Sequence, residues 1–555
     1  MRQQLAVMAL AAVLVMAVAA PVLADVSLEE AGAYAEQGDY SRAVTLYTQA
    51  IDSGELGQAE LEQAHVERGM ALFNAGEYEA AAQDFSTVLA MNPDRINCYG
   101  ARARCWRELE NYPQAESDLA RAMEQDPDNP EYYETRAGLR SVQGDVQGAL
   151  DDYLKVAELN PAEAHLAYLN CAGLGIMTGD NRLIYDYATK ALDLDPSLTK
   201  AYIFLAEALM ARGEIDQAME SLEKALELDP QCAEAYSTRG VIHRRLGQLE
   251  QAYDDYGRAI EFNPDDPWTW TRRGNLLREM ERYEEAVADY DQAVLLAPSP
   301  LFYYNRVGCL IRMEEYERAV EDCNRVLAEE PENSRAYFAR GHALWELGDP
   351  QAALEDFTLA LKYDPSNLDV YYLRAEAYRT LGDEVRAEQD LAWRAFYMAI
   401  YLSDNGELGQ ALGLMDQALD SVPDFADGWA LMGLLQQKAG NMEQALPCME
   451  KGLALGYNEA WLMNAVVWEL ATSANPALRN PERAVELGEQ LLEVESTPEF
   501  MDTLAAAYAA IGEFDRAVDL QGEAMVQAML FGQDKTPYQE RLHLYQSGQA
   551  YYQSE

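Results

Sequence analysis

Residues 200–230 read KAYIFLAEALMARGEIDQAMESLEKALELDP, and this stretch decides the fold. Apolar residues recur at helical spacing on both sides of Gly213, which predicts two amphipathic helices. Glycine adopts the positive φ that ends many helices, so Gly213 is predicted to form the turn between the two helices. Small residues, Ala206 and Ala218, allow the helices to approach closely.

The same unit recurs along the chain at intervals of 33 to 35 residues, and each copy ends in a proline. An array of short units buries its apolar residues between neighbouring units and needs no separate domain core. We therefore predict an all-α fold, an α-solenoid of antiparallel helix pairs. The prolines that mark the repeat are Pro93, Pro127, Pro161, Pro196, Pro230, Pro264, Pro298, Pro331 and Pro365.

The unit resembles the tetratricopeptide repeat (TPR), whose signature combines a glycine turn, small residues, an aromatic and a final proline over about 34 residues. The turn motifs are Gly76-Glu-Tyr78, Gly144-Asp145, Gly179-Asp180, Gly247 and Gly348-Asp349. The aromatic residues of the second helix are Tyr47, Phe85, Tyr153, Tyr256, Tyr290 and Phe357. The resemblance, to exported bacterial TPR proteins, implies a TPR superhelix with a concave groove that binds protein segments.

Arginine at the seventh position of a unit occurs together with aspartate at the twenty-third position. Two units that lack the arginine carry Cys171 or Leu205 there, and these also lack the aspartate. This pairing predicts a charge-assisted clamp between the two helices of a unit, so these arginines are not counted as binding residues. The predicted pairs are Arg68–Asp84, Arg102–Asp118, Arg136–Asp152, Arg239–Asp255, Arg273–Asp289, Arg306–Asp322, Arg340–Asp356 and Arg374–Asp390.

The register of the repeat changes near Ala392, where one long helix, about 384–402, is predicted to serve two successive units. We predict four segments. They are a signal peptide at 1–24, an N-terminal TPR array of about eleven repeats at 25–391, a C-terminal TPR array at 392–531 with an irregular loop at 471–481, and a terminal cap or tail at 532–555.

The first residues have the pattern of an export signal. An apolar run from Leu5 to Ala20 precedes Val22-Leu23-Ala24, which suits a signal peptidase site, so we predict cleavage before Asp25. The expected location is periplasmic or secreted. The alternative is an uncleaved N-terminal segment that anchors the chain in a membrane, although the run is short for a span of about 20 residues.

The chain is strongly acidic, with 95 Asp and Glu against 42 Lys and Arg and a formal charge of −53. Such a charge repels phosphate backbones and anionic lipids, so we predict no nucleic acid partner and no direct membrane binding beyond that anchor. The alternative interpretation of the charge is that the acids only solvate the outer helix faces. Among seven cysteines, Cys309 and Cys323 are the one pair worth testing for a disulfide.

The sequence contains no recognisable catalytic or metal-binding motif. The five histidines are scattered singly, whereas metal sites need clustered ligands. No phosphate-binding glycine loop, nucleophile elbow or zinc-protease motif occurs. We therefore predict that the protein is not an enzyme and has neither a cofactor nor a metal.

The candidate site is the inner face of the first helices, at unit positions 2, 5, 9 and 12. Aromatic and arginine side chains are concentrated there in units seven to eleven, and these residue types dominate interface energetics. The alternative is that they are ordinary packing and solvated residues. The candidate groove residues are Arg244, Arg278, Arg335, Arg379, Asn275, Trp268, Tyr304, Phe338, Trp345 and Tyr372.

These features favour an exported scaffold that binds an extended acidic or aromatic segment of a protein and helps assemble or hold an extracytoplasmic complex. A structural spacer with no groove ligand is the alternative, and a regulatory subunit of an enzyme is the third hypothesis. The sequence specifies neither the partner, nor the process, nor the oligomeric state.

Overall fold

A computed structural model describes residues 28–553, and every regular element in that range is a helix. The all-α fold is therefore confirmed. The predicted signal peptide, 1–24, lies outside the described residues. The chain divides into two compact units, the first ending at Leu276 and the second starting at Leu277.

The first unit contains fourteen helices within its described residues and most of a fifteenth. They are α1 (28–36), α2 (Tyr40–Asp52), α3 (Gln58–Asn74), α4 (Tyr78–Met91), α5 (Ile96–Glu108), α6 (Tyr112–Gln125), α7 (Pro130–Val142), α8 (Val146–Leu159), α9 (Ala164–Thr178), α10 (Asn181–Leu194), α11 (Thr199–Ala211), α12 (Ile215–Leu228), α13 (Ala233–Arg245), α14 (Leu249–Phe262) and α15 (Pro267–Glu279), in which the division falls.

The second unit contains the remaining helices and one 3-10 turn at Pro476–Leu478. The helices are α16 (Tyr283–Leu296), α17 (Pro300–Arg312), α18 (Tyr316–Glu329), α19 (Ser334–Glu346), α20 (Pro350–Tyr363), α21 (Leu368–Thr380), α22 (Glu384–Asp404), α23 (Leu408–Ser421), α24 (Ala426–Lys438), α25 (Met442–Ala454), α26 (Ala460–Thr472), α27 (Pro481–Val494), α28 (Pro498–Ala510), α29 (Phe514–Leu530) and α30 (Thr536–Gln546).

Within each unit the helices stack as pairs. In the first unit α11 packs on α12, its own partner, and on α9 and α13, the first helices of the neighbouring pairs. In the second unit α19 contacts α20 in the same way, and also α17 and α21. First helices thus lie side by side and present one common face, as the α-solenoid prediction requires.

The turn between paired helices has a positive φ, as expected at Gly213, where φ is 81°. Three turns place a glutamate there instead, namely Glu110, Glu281 and Glu314, with φ between 56° and 60°. A residue with a Cβ costs about 1 kcal/mol or more in this left-handed region. The sequence does not mark these turns with glycine, yet the tertiary packing imposes the same backbone.

The arginine–aspartate clamps form as predicted wherever both partners lie in the same compact unit. In each of these seven pairs Nε and Nη2 of the arginine donate to the two carboxylate oxygens, at 2.6 to 2.9 Å. The aspartates are buried, for example Asp356 at 4% exposure. Each arginine–aspartate pair therefore fastens the first helix of a repeat to the second helix of the same repeat.

The same arginines also reach the preceding pair of helices. Nη1 of Arg102 donates to Ser86 on α4 at 3.0 Å, and Nη1 of Arg340 donates to Asn324 on α18 at 2.6 Å. Nη1 of Arg374 is 3.4 Å from Thr358 on α20. One guanidinium thus links three helices, which sequence reasoning did not foresee.

The long helix and the C-terminal segments can be located in detail. The helix α22 spans Glu384–Asp404 and packs on both α21 and α23, so it belongs to two successive repeats. The irregular loop runs over 473–480, because α26 continues to Thr472. After α30 the chain turns back, and the Gln553 N–H donates to the Thr472 carbonyl at 2.8 Å.

All seven cysteines are free thiols, including Cys309 and Cys323, which form no disulfide. Five are buried, and Cys232 and Cys448 are half-buried. Burial raises the pKa of Cys105, Cys171 and Cys323 to about 12 and that of Cys309 to about 11. These thiols stay protonated at neutral pH and are poor nucleophiles.

We expect that removing the arginine alone destabilises its helix pair more than removing the arginine and the aspartate together. Arg340→Leu leaves the Asp356 carboxylate buried without a partner and should cost about 3 kcal/mol of local stability. The double variant Arg340→Leu/Asp356→Ser reproduces the Leu205 and Ser221 combination of the unit formed by α11 and α12, and should cost less than about 1 kcal/mol. Native-state hydrogen exchange of α19 and α20 measures both.

A double variant that exchanges as fast as Arg340→Leu alone would show that the arginine stabilises through packing or through Asn324, and not through the buried pair. Arg325→Leu, an exposed site on α18, is the matched control and should leave exchange in α19 and α20 unchanged.

Thiol labelling should discriminate between the cysteines. With iodoacetamide at pH 7.5, we expect Cys232 and Cys448 to react in the native protein and the five buried thiols to react only after denaturation. Peptide mass spectrometry identifies the labelled positions. A disulfide-linked peptide that joins Cys309 to Cys323 would contradict the packing of these two side chains as free thiols.

Candidate functional site

In the second compact unit, the candidate site is the inner face of the first helices of the repeats. The helices α17, α19 and α21 contact one another in sequence, so their inner-face residues share one surface. The repeat spacing places Tyr304 on α17, Arg335, Phe338 and Trp345 on α19, and Tyr372 on α21. Arg278 is near Tyr304 as well, since its charge acts on that phenol. The structure therefore brings most of the predicted residues of this unit together.

The charges of two arginines, Arg335 and Arg278, act on the Tyr304 phenol. Burial raises the pKa of the Tyr304 phenol, and the nearby charges of Arg335 and Arg278 partly oppose that shift. Both arginines are exposed. Within residues 28–553, no ion pair is made by Arg335. This part of the surface therefore offers an aromatic ring near two exposed positive charges that a bound carboxylate could reach.

A row of rings follows on α19. The Phe338 and His342 ring centroids are 6.5 Å apart, and those of His342 and Trp345 are 6.4 Å apart, in stacked orientation. Phe338 also packs at 6.3 Å from the buried Phe357 of α20. The row is thus anchored at one end in the core. Its half-buried rings are held in place and can receive an aromatic or aliphatic side chain.

Tyr372 has a partner that sequence reasoning missed. The Arg394 guanidinium lies 5.7 Å from the Tyr372 ring centroid, and Arg394 Nε is buried with no hydrogen-bond partner among the described residues. Tyr372 is 46% exposed. Arg394 lies outside the expected inner-face positions, because α22 serves two units and its register differs from that of a normal first helix.

Arg379 is occupied by the chain's own carboxylates. It donates to Glu376 at 2.8 Å, to Glu384 at 3.3 Å and to Glu388 at 3.0 Å. These contacts join α21 to α22. Arg379 therefore fastens two helices, and its donors are already used in the absence of a ligand.

The other three predicted residues, Arg244, Trp268 and Asn275, belong to the first unit. Arg244 lies on α13, while Trp268 and Asn275 lie on α15. Trp268 is 53% exposed. Each of the three interacts with other groups of the chain.

The inner face of the first unit also contains two cavities that sequence reasoning did not identify. One, of about 220 Å³, lies among α3, α5 and α7 and is lined by Met70, Asn97 and Arg104. The other, of about 250 Å³, is lined by Leu169 and Gly173 of α9 and by Lys200 of α11. The sequence did contain a signal for the second cavity, because α9 has no charged residue after His165.

Metal sites and membrane-spanning helices are the two other features considered for the described residues. Between residues 28 and 553, no group of three His, Cys, Asp or Glu side chains could hold a metal ion. No helix described in that range is both long and apolar enough to span a membrane.

Models of the tetratricopeptide repeat match several parts of the chain. The matched residues are 28–96, 72–139, 206–247, 233–266, 267–300 and 338–395. These stretches lie in both compact units and overlap the helix pairs.

Similar proteins share the repeat over short stretches. Tetratricopeptide repeat protein 13 from Homo sapiens is 27% identical over 157 residues, which cover 27% of this chain and 18% of that protein. Serine/threonine-protein phosphatase 5 from Rattus norvegicus is 31% identical over 102 residues, 18% of this chain and 20% of that protein. The chain thus spans about a fifth of the length of these relatives.

A solved structure, that of YrrB, a TPR protein with an unusual peptide-binding site, is 21% identical and covers 37% of this chain and 95% of its own, with a TM-score of 0.29. The matched repeat models, the recurrent turns and the stacked helix pairs together show that this chain contains tetratricopeptide repeats.

Proposed function

We propose that this protein is an exported, non-catalytic scaffold that binds an extended segment of a partner protein on the inner face of its second unit. The observation that carries the proposal is the surface formed by Tyr304, Arg335 and the ring row of α19. On a chain with a formal charge of −53, two exposed arginines beside an aromatic ring are a local region of positive charge.

The chemistry of this surface selects the segment. Guanidinium groups bind carboxylates through paired, charge-assisted hydrogen bonds, and a stacked ring row accepts apolar side chains. A segment with an acidic residue next to an aromatic or aliphatic residue satisfies both. The overall negative charge disfavours acidic segments elsewhere on the protein, so binding is confined to this face.

The proposal is tested with a peptide selected from a displayed random library on purified residues 25–555. We expect Arg278→Glu/Arg335→Glu to weaken binding of that peptide about 100-fold, since two charge-assisted contacts of about 1.5 kcal/mol each are lost. Isothermal titration calorimetry measures the dissociation constants.

Arg258→Glu/Arg325→Glu is the matched control for charge, because both arginines are exposed on second helices, α14 and α18. The control should bind normally. Equal weakening in the control and the double variant would mean that only net charge matters. Failure to select any peptide, with a folded protein, would favour the structural spacer.

Export is tested separately by expressing the full chain in a bacterium. We expect the protein in the periplasm or medium, with Asp25 as its first residue, as determined by mass spectrometry of the intact protein. Ala24→Arg should block cleavage and leave the product in the membrane fraction. A cytoplasmic product that retains Met1 would contradict the proposed location.

A further inference from the structure

The second helix of the last helix pair, α29, has an exposed apolar end. Val526, Met529 and Leu530 are each more than half exposed, and so is Phe531, the residue directly after the helix. At about 3.6 residues per turn, the first three fall within an arc of roughly 100° on one face of α29. An exposed apolar patch bordered by polar residues is typical of a surface that binds a partner.

This end of α29 differs from the ends of the other second helices. The helix has 17 residues, whereas α12, α14 and α18 have 14, and the added turn contains Met529 and Leu530. At the thirteenth helical position, which is Val526 in α29, α16 has Leu295 but ends one residue later. Eight second helices have an acid at this position, namely Asp52, Glu124, Glu158, Asp193, Glu227, Glu261, Asp420 and Glu493. The long apolar end is therefore a feature of α29 and not of the repeat.

The first half of the same face is acidic. Asp515 and Asp519 precede Val526 by 11 and 7 residues, which places both within about 20° of it around the helix axis. Glu523 lies at the edge of this face. All three carboxylates are exposed, and none of them forms an ion pair within residues 28–553. Residues 515–530 thus form an exposed stripe about 24 Å long, the α29 stripe, which is acidic in its first half and apolar in its second half.

Gly522 lies in the middle of the α29 stripe. A Cβ at this position would meet no atom within 4 Å, so packing within the chain does not require a glycine here. Glycine also weakens the interior of a helix relative to alanine. Its missing side chain lowers the surface between the acidic half and the apolar half, and small residues at a contact allow two packed helices to approach closely.

The α29 stripe suits a helix better than an extended segment. In the middle of an α-helix the backbone N–H and C=O groups bond to one another, so the stripe offers an extended segment no backbone hydrogen bonds. A helix needs none, and its side chains recur every three or four residues, as those of α29 do. An antiparallel helix with an apolar first half and a basic second half would place apolar side chains on Val526 and Leu530. Its cations would lie beside Asp515 and Asp519, and cations also suit the C-terminal end of a helix.

A second copy of this chain fits the α29 stripe less well. Two antiparallel α29 helices would place the acidic half of each against the apolar half of the other, and two parallel ones would oppose acid to acid. The formal charge of −53 also disfavours association of two copies and contact with an anionic membrane. The same charge attracts a basic partner.

We propose that the α29 stripe binds an amphipathic helix of a partner protein, packed antiparallel on α29, with an apolar first half and Lys or Arg in its second half. The contact involves one helix on each side and is smaller than a standard interface, so we expect micromolar affinity. The stripe lies on a second helix and is separate from the inner face of the first helices. The inference therefore does not depend on the function proposed for that face.

The test uses residues 25–555 and two fluorescein-labelled helical peptides of 16 residues, with fluorescence anisotropy as the readout. The probe has three leucines in the first half of one face and three lysines in the second half. The comparison peptide has the same composition, with leucine and lysine alternating along that face. Physiological salt screens non-specific attraction to the net charge. We expect the probe to bind saturably and at least tenfold more tightly than the comparison peptide.

Variants of α29 and of α12 locate the contact. We expect Val526→Gln and Asp519→Lys each to weaken binding of the probe at least fivefold, because the first removes apolar burial and the second opposes a lysine with a lysine. The matched controls are Leu228→Gln, at an exposed leucine that ends α12, and Glu220→Lys, at the same helical position as Asp519. Both controls should bind the probe normally. The four sites are exposed, so the variants should fold.

Several outcomes would overturn the proposal. Absence of saturable binding does so, and so does equal binding of the two peptides, which would mean that net charge alone attracts them. Equal weakening by a control variant would place the peptide elsewhere on the protein. Binding to phosphatidylcholine vesicles that Val526→Gln abolishes would assign the stripe to a lipid surface. Self-association that Val526→Gln abolishes, measured by sedimentation velocity, would assign it to a second copy. If Val526→Gln fails to fold, Asp519→Lys decides.

Discussion

In seven helix pairs the packing of the first helix on the second is set by a buried aspartate carboxylate that two nitrogen atoms of one guanidinium bind. Taking an aspartate out of water is costly unless its hydrogen bonds are replaced, and the arginine of the first helix replaces both at once. The planar fork fixes the rotation of one helix about the other, which apolar packing alone defines less well. Because Nη1 often reaches the preceding pair, the same residue also sets the spacing between units, as Arg102 and Ser86 show.

Two successive repeats, formed by α9 to α12, lack this clamp and show what replaces it. Cys171 is completely buried at the arginine position, and the Ser221 hydroxyl donates to its own helix, to the Gln217 carbonyl at 2.9 Å. The helices α9 and α11 are correspondingly apolar over most of their surface, and a helix that is apolar all round gains its stability from burial. The inner face of α9 thus exposes Leu166 and Ile176, at 45% and 37% exposure.

Sequence reasoning predicted the fold because its signals are repeated many times and are local. The clamps could be foreseen since the arginine and aspartate appear and disappear together among copies within one chain. The surface around Tyr304 could be foreseen from helical spacing alone. Arg379 shows the limit of that rule, because its partners Glu384 and Glu388 lie beyond a turn, and only the folded backbone brings them to the guanidinium. The pairing of Arg541 with Asp502 was beyond prediction, since it joins α30 to α28 through a contact distant in sequence.

Stability and the proposed recognition of a partner segment use different positions of the same repeat, and this separation explains how one fold presents several kinds of surface. The clamp and the small packing residues occupy positions that face neighbouring helices. With the exception of Arg379, which joins α21 to α22, the inner-face positions carry less of that burden. They are Leu166, Leu169 and Gly173 on α9 but Arg335, Phe338 and His342 on α19. In a solenoid each unit is stabilised mainly by its neighbours, so a substitution on the inner face changes binding chemistry locally and leaves the other units intact. The binding chemistry proposed for the inner face can therefore vary along this chain without any change in the interactions that fold it.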